Sequence, residues 1–142
     1  MTTHILSMTY QPKIEGVRNG TIRQTIRLYN EKRPFKVGDK LLIHGWAGKP
    51  YRSKWSWRME ATVNFCPEIN MIADKDVVRV PVWSHAIRDF AWVPVFWDQD
   101  YANELARLDG ISPPCGPELK RVLETYHGKF TDEPVQMQVI RW

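Results

Sequence analysis

The sequence predicts an α+β fold in which short strands and a few short helices follow one another without regular alternation. Strand periodicity occurs near both ends and in the middle of the chain, whereas helical patterns occupy three short stretches. A doubly wound parallel sheet would need strands and helices in strict alternation. With 142 residues, of which 43% are hydrophobic and 25% charged, the chain is long enough for one domain with a buried core.

The N-terminal part is predicted to form a strand, a helix and a second strand. The first strand covers residues 4–8. The helix covers residues 11–19, with Pro12 in its first turn and Gly20 at the position of a left-handed cap. In the next strand, residues 21–28, polar and apolar residues alternate. One face of this strand then lies on the core, and the other face carries Thr21, Arg23, Thr25 and Arg27.

The rest of the chain is predicted to contain further strands and two more helices. A turn at residues 37–39 precedes strands at 40–46, 57–65 with a continuation at 69–72, 77–82 and 135–142. The helices are predicted at 101–108, capped by Asp98 or Asp100, and at 117–127. The aromatic stretch 83–97 is interrupted by Pro94 and is predicted to be either a hairpin or a covering insertion.

Positive charge is concentrated in one part of the chain. Residues 13–58 contain twelve Lys and Arg against three Asp and Glu, whereas acidic residues are in excess elsewhere and the formal net charge is only +4. Arg23, Arg27 and Lys36 belong to this basic part. A planar guanidinium suits a phosphate or a base edge. The alternative is a solvated strand face with ordinary salt bridges.

Aromatic and basic residues interleave between residues 46 and 58. This combination is typical of proteins that bind single-stranded nucleic acid, because cations follow the phosphate backbone while bases stack on the rings. Strand alternation puts Trp55 and Trp57 on one face, where packing of both against the core is the alternative interpretation. The predicted nucleic-acid contacts in this segment are Trp46, Tyr51, Arg52, Lys54, Trp55 and Arg58.

The sequence contains no pattern typical of a metal site, a cofactor site or a membrane span. The histidines are isolated, and Cys66 and Cys115 are too few and too far apart for a zinc site or a disulfide scaffold. No window approaches the roughly 18 apolar residues of a membrane span, and the N-terminus lacks an apolar stretch of signal-peptide length. We therefore expect a cytoplasmic protein with free thiols and without a cofactor.

Two short motifs occur in a defined order in the chain. The first follows the pattern G-x-K-x-x-T-x-R before a Gly-Asp turn, and its positions are Gly20, Ile22 in the lysine position, Thr25, Arg27 and Gly38-Asp39. The second is a helix that ends in an acidic residue, a glycine and an apolar residue, here Asp109, Gly110 and Ile111. Together they resemble the ASCH family, a branch of the PUA-like superfamily. The resemblance covers roughly residues 10–70 and 100–142 and leaves an insertion at about 73–98.

This resemblance implies a single domain over residues 1–142, a PUA-like mixed β-barrel with short flanking helices and a cleft suited to RNA or a nucleobase. Some bacterial members hydrolyse the acetyl amide of N(4)-acetylcytidine, and ribonuclease activity has been attributed to others. In the amidohydrolases a lysine, the threonine and a glutamate carry the chemistry, and the last two roles fall here on Thr25 and Asp109. Isoleucine at position 22 cannot take a proton from threonine, so an active enzyme would need Lys49 or Lys54 as its base.

Three functions follow from these observations. The leading hypothesis is an ASCH domain that binds RNA or a nucleotide in a basic and aromatic cleft, with Thr25 and Asp109 on the base edge. The second is a small hydrolase in the same cleft, acting on N(4)-acetylcytidine or as a ribonuclease. The third is a protein-interaction module that uses the aromatic segment 83–97.

Overall fold

The polypeptide folds into two β-sheets and three helices in the computed structural model, which describes residues 1–67 and 69–142. The strands are β1 (Thr3–Ser7), β2 (Gln24–Leu28), β3 (Lys40–Trp46), β4 (Trp55–Thr62), β5 (Met71–Ala73), β6 (Val77–Ser84), β7 (Asp89–Phe96) and β8 (Val135–Arg141). The helices are α1 (Gln11–Asn19), α2 (Asp100–Leu108) and α3 (Gly116–His127). The predicted α+β class is therefore confirmed.

The strands form one small and one large sheet. The small sheet has the order β1-β3-β4, with β1 parallel and β4 antiparallel to β3. The large sheet has the order β2-β8-β5-β6-β7, in which all neighbours are antiparallel. Neither sheet closes into a barrel within the part of the chain that the structure describes.

Two hydrophobic clusters hold the elements together. The first lies between the large sheet and the helices α2 and α3, where Met71, Val80 and Met137 pack with Leu105 and Leu119. The second joins the small sheet to α1 and to the C-terminal strand, and its central members are Val17, Leu41, Ile43, Ile140 and Trp142. Strand β8 contributes to both clusters, with Met137 in the first and Ile140 in the second. Its neighbour β2 contacts α1 through Thr25 and α2 through Gln24.

The three described helices begin and end within one residue of their predicted bounds. Helix α1 has the predicted bounds, with Pro12 in its first turn and Gly20 in the left-handed conformation at φ +83°. Helix α3 begins one residue before the prediction. The predicted caps of α2 are wrong, because its N-cap is Gln99 instead of Asp98 or Asp100.

The second strand is shorter than predicted. It begins at Gln24, because the N–H of Ile22 donates to the carbonyl of Gly16 at 2.9 Å and turns residues 21–23 back toward α1. Two other predicted strands are shifted. The strand predicted at 57–65 is β4, Trp55–Thr62, and its predicted continuation at 69–72 is the separate strand β5, Met71–Ala73.

Of the two predicted alternatives for residues 83–97, the structure has the hairpin. Strands β6 and β7 pair from Val77–Phe96 to Ser84–Asp89 and form the far edge of the large sheet. Pro81 does not end β6 as predicted. Strand β5 pairs only with Val78 and Arg79, so Pro81 lies beyond it, where a missing N–H breaks no ladder. The outer side of this hairpin exposes Trp83, Phe90, Trp92 and Phe96.

Within the described residues, none of the helices is both long and apolar enough to cross a bilayer. The longest, α3, has twelve residues, whereas a membrane-spanning helix needs about 20.

Candidate functional site

The centre of the site is a lysine that helix α1 carries into the interior. Lys13 is almost completely buried. Its Nζ lies 3.1 Å from Oδ2 of Asp109, 3.3 Å from Oγ1 of Thr25 and 3.4 Å from the carbonyl oxygen of Gln24. One ammonium group therefore bridges the hydroxyl on β2 and the carboxylate that follows α2.

Two local features allow Lys13 to reach this position. Gly110 follows Asp109 with φ +73°, and a Cβ at Gly110 would come within 2.8 Å of the Cβ of Lys13. Ile22 packs against Gly16 of α1 and against Gly110. The residue in the lysine position of the motif thus forms an apolar contact beside the site, and the amine comes from α1.

Burial favours the uncharged forms of Lys13 and Asp109. Desolvation lowers the pKa of Lys13 from its ordinary value, although the carboxylate of Asp109 opposes this shift. Desolvation likewise raises the pKa of Asp109, against the effect of Lys13. Oδ1 of Asp109 has no hydrogen-bond partner among the described residues. A lysine with a lowered pKa next to a hydroxyl is chemically suited to accept its proton.

Lys13, Thr25 and Asp109 line a small pocket, which we call the inner pocket. It has a volume of about 160 Å³ and lies between β2, α1 and α3. Its polar lining includes Tyr10, Lys13, Thr25, Arg27, Asp109, Tyr126 and His127. Burial, and then the charge of Arg27, lowers the pKa of His127, so this imidazole is neutral at pH 7.

A second and larger pocket, the outer pocket, adjoins the first. It has a volume of about 550 Å³ and shares Ser7, Arg27 and Tyr51 with the inner pocket. Its other aromatic and basic lining residues are His4, Arg33, Phe35, His44, Trp46 and Trp55. None of the described residues in its lining is Asp or Glu, so the charged side chains there are all basic. We refer to the two pockets together as the cleft.

A β-bulge determines which tryptophan reaches the cleft. The pairing of β3 and β4 shifts between Gly45 and Trp46, and this shift reverses the side-chain alternation of β4 at its start. Trp55 therefore stacks on His44 with ring centroids 3.9 Å apart and planes at 15°. Trp57 packs instead on Gly45 and the second cluster. The predicted common face of Trp55 and Trp57 is wrong, because a bulge cannot be read from alternation alone.

Arg27 connects the two pockets. Its Nη2 donates to the carbonyl of Ser7 at 2.6 Å, which fixes the guanidinium between β1 and β2. Its Nε finds no partner in the described part of the chain. Desolvation lowers the pKa of Arg27 from its usual value. Because the usual pKa of an arginine lies far above 7, the guanidinium keeps its charge at pH 7.

Comparison with known proteins adds no relative to these observations. No family model, curated protein or solved structure matches this chain. The resemblance to the ASCH family remains a prediction from two motifs.

The structure brings together only part of the predicted site. Thr25 and Asp109 meet in the inner pocket, and Arg27, Trp46, Tyr51 and Trp55 line the cleft. The other five predicted residues line neither pocket, and they are Arg23, Lys36, Arg52, Lys54 and Arg58. Arg23 and Arg27 do not share a strand face, since β2 begins at Gln24 and Arg23 bends back to donate to Gly20.

The predicted suppliers of a base are also displaced from the cleft. Lys49 and Lys54 are exposed and contribute to neither pocket, whereas Lys13 lies on Thr25. Sequence reasoning missed Lys13, although one signal was present. Lys13 and Val17 are four residues apart and are the two most buried positions of α1, so a lysine occupies the apolar stripe of a short helix.

Proposed function

We propose that the protein is an ASCH-type hydrolase that cleaves an amide bond on a nucleobase, with Thr25 as nucleophile and Lys13 as base. The observation that carries this proposal is the bridging position of the Lys13 Nζ, 3.3 Å from Thr25 Oγ1 and 3.1 Å from Asp109 Oδ2. Lys13 would act as the general base. In the motif this role belongs to the lysine position, where Ile22 cannot accept a proton. The PUA-like barrel belongs to the same proposal, with the two sheets as its walls.

The chemistry follows from these contacts. A neutral Lys13 takes the hydroxyl proton while Thr25 Oγ1 attacks the amide carbonyl carbon. The C–N bond then breaks, the ammonium of Lys13 returns the proton to the leaving amine, and an ester on Thr25 remains. Water attacks this ester with Lys13 again as base, releases the carboxylic acid and regenerates the hydroxyl. Asp109 orients Lys13 throughout, and its Oδ1 is an acceptor for an amino group of the substrate.

Release of cytidine from N(4)-acetylcytidine tests this proposal. Thr25→Val removes the hydroxyl with almost no change in shape, and we expect turnover to fall by at least about 100-fold. Lys13→Met should cause a similar loss. Thr21→Val is the matched control, because Thr21 is exposed and outside the cleft. Turnover that is absent in the wild type, or unchanged in Thr25→Val, would contradict the proposal.

The second candidate function is binding of RNA or a nucleotide without hydrolysis. It is favoured by the outer pocket, in which Arg27 and Arg33 accompany Trp46, Tyr51 and Trp55. Binding that depends on phosphate contacts weakens steeply with added salt. A titration of short single-stranded RNA at 50 and 200 mM salt measures this slope, and an affinity independent of salt would contradict it.

A further inference from the structure

We infer that the inner and outer pockets are two subsites for one ligand, a pair of nucleotides joined by a phosphodiester. The base that carries the amide would occupy the inner pocket, Arg27 would contact the phosphate, and the neighbouring base would stack on Trp55. The identity of the inner ligand rests on the proposed function, whereas the outer subsite rests on observations of its own.

The sizes and the connection of the pockets indicate one extended ligand. Pockets that enclose a drug-sized molecule span roughly 300–1,000 Å³. The inner pocket, at about 160 Å³, is below this range and suits a single planar ring, whereas the outer pocket, at about 550 Å³, lies within it. Since Ser7, Arg27 and Tyr51 line both, the pockets adjoin, and a ligand that fills the two of them passes these three residues.

The outer pocket offers a stacking surface. One face of the Trp55 indole is covered by the parallel ring of His44, and 40% of Trp55 remains exposed. Trp46 meets His44 edge-on at 4.8 Å, and its Nε1 has no hydrogen-bond partner in the described chain. An indole backed by a fixed ring and flanked by a further donor is suited to a flat, polar ring such as a base.

The charge at the junction of the pockets is suited to a phosphate. Arg27 is held there by the carbonyl of Ser7, while Arg33 lines the outer pocket and donates to the carbonyl of Thr3 at 2.7 Å. No Asp or Glu occurs among the described residues that line the outer pocket. Each guanidinium donates to a backbone carbonyl, and the carboxylate that acts on Arg27 is Asp109 of the inner pocket. On the side of the outer pocket the two groups attract an anion, and their fork geometry matches phosphate oxygens.

Tyr51 stands at the same junction in an unusual backbone conformation. Its φ is +62°, in the left-handed region that residues other than glycine seldom adopt. The ring packs against Trp46 with centroids 5.1 Å apart, and its hydroxyl is 3.5 Å from Oγ of Ser7. Such a strained residue is typical of ligand-binding positions, and here it lies where the chain of the ligand would pass from one subsite to the other.

The experiment compares one ligand unit with two. Calorimetry would measure binding of cytidine and of cytidine–adenosine dinucleotides linked in either order, and the acetylated forms would be assayed for cytidine release. Trp55→Ala removes the proposed stack, and Trp83→Ala is its matched control on the β6–β7 hairpin, where 47% of Trp83 is exposed. Arg33→Gln tests the charge without altering a residue of the inner pocket.

We expect at least one dinucleotide to bind wild type tenfold or more better than cytidine. Trp55→Ala should reduce dinucleotide affinity roughly 5- to 150-fold, the range measured for one base stack, without changing cytidine affinity. Trp83→Ala should change neither, and Arg33→Gln should weaken the dinucleotide and flatten its salt dependence.

The possible failures are distinguishable. Dinucleotide binding that is sensitive to Trp55, without hydrolysis of any acetylated ligand, supports the two subsites and contradicts the proposed hydrolase. Equal affinity for cytidine and both dinucleotides, or equal losses of both in Trp55→Ala, overturns the inference even if N(4)-acetylcytidine is hydrolysed. Absence of binding by all ligands overturns it as well.

Discussion

The Nζ of Lys13 lies 3.1 Å from Oδ2 of Asp109, and only 6% and 7% of the two side chains are exposed. A buried ion pair of this kind seldom contributes more stability than a well-packed apolar pair, because both ions lose their hydration. Its position beside Thr25 is the one that the proposed hydrolysis requires. The pair holds an amine with a lowered pKa against a hydroxyl at the bottom of a pocket.

Lys13→Met should destabilise the protein at neutral pH. The substitution leaves Asp109 buried without its cation, and loss of one partner from a buried pair costs about 3–5 kcal/mol. The folded-state pKa of Asp109, already raised, would rise further, so the folded protein would hold a proton that the unfolded chain has released. Stability of the variant should therefore increase as pH falls from 7 to 5.

Urea unfolding of wild type and variant at both pH values measures this effect. Lys75→Met is the control, because Lys75 pairs with Asp132 on the surface and an exposed pair contributes little. A Lys13→Met protein as stable as Lys75→Met at pH 7 would contradict the expectation.

The sequence predicted those elements whose signals are local. Strand β3 and helix α1 have the predicted bounds, since alternation defines the first and proline and glycine define the ends of the second. Errors occurred where a distant contact overrides the local pattern. The bond from Ile22 to Gly16 shortens β2, and Pro81 stays inside β6 because β5 begins only at Met71 and does not extend alongside Pro81.

The same limit applies to the site. Thr25 and Asp109 were identifiable from motifs, and the aromatic and basic character of the cleft was apparent from composition. Lys13 precedes Thr25 by twelve residues, and the two meet because α1 packs closely on Gly110 and on the second cluster. Local spacing contains no information on such a contact.

Asp39 should make the fold sensitive to acid. Burial raises the pKa of Asp39, but hydrogen bonds from the Thr2 N–H, the His4 ring and the Lys36 N–H outweigh it and keep the pKa below the usual value. A lowered folded-state pKa stabilises the protein above the ordinary carboxyl pKa, and this contribution is lost as pH falls through the folded-state pKa.

Asp39→Asn should therefore cost about 1–3 kcal/mol at pH 7 and less at pH 3. Chemical unfolding at the two pH values measures the difference, with Asp98→Asn as an exposed control. The interpretation is wrong if the free energy of unfolding depends on pH in the same way in Asp39→Asn and Asp98→Asn.

Cys66 should be unreactive in the folded protein. Burial raises the pKa of its thiol to about 11, although a hydrogen bond from the Gln138 amide opposes the shift. At pH 8 only about one molecule in a thousand would carry the reactive thiolate. A thiol reagent should label the half-buried Cys115 first and Cys66 only in denaturant. Rapid labelling of native Cys115→Ser protein would contradict the buried position of Cys66.

Gly110→Ala should impair the site beyond its effect on the backbone. Gly110 has φ +73°, and the methyl group of an alanine there would lie 2.8 Å from the Cβ of Lys13. Gly38 has φ +93°, and an alanine methyl group there would have no described atom within 4 Å. Both alanine variants incur a left-handed backbone cost of about 1–2 kcal/mol, but only Gly110→Ala pushes Lys13 away from Thr25. Since a displacement of about 1 Å can reduce catalysis 100-fold, cytidine release from N(4)-acetylcytidine should fall far more in Gly110→Ala than in Gly38→Ala. Equal activity of two equally stable variants would show that the position of Lys13 on α1 does not control the reaction.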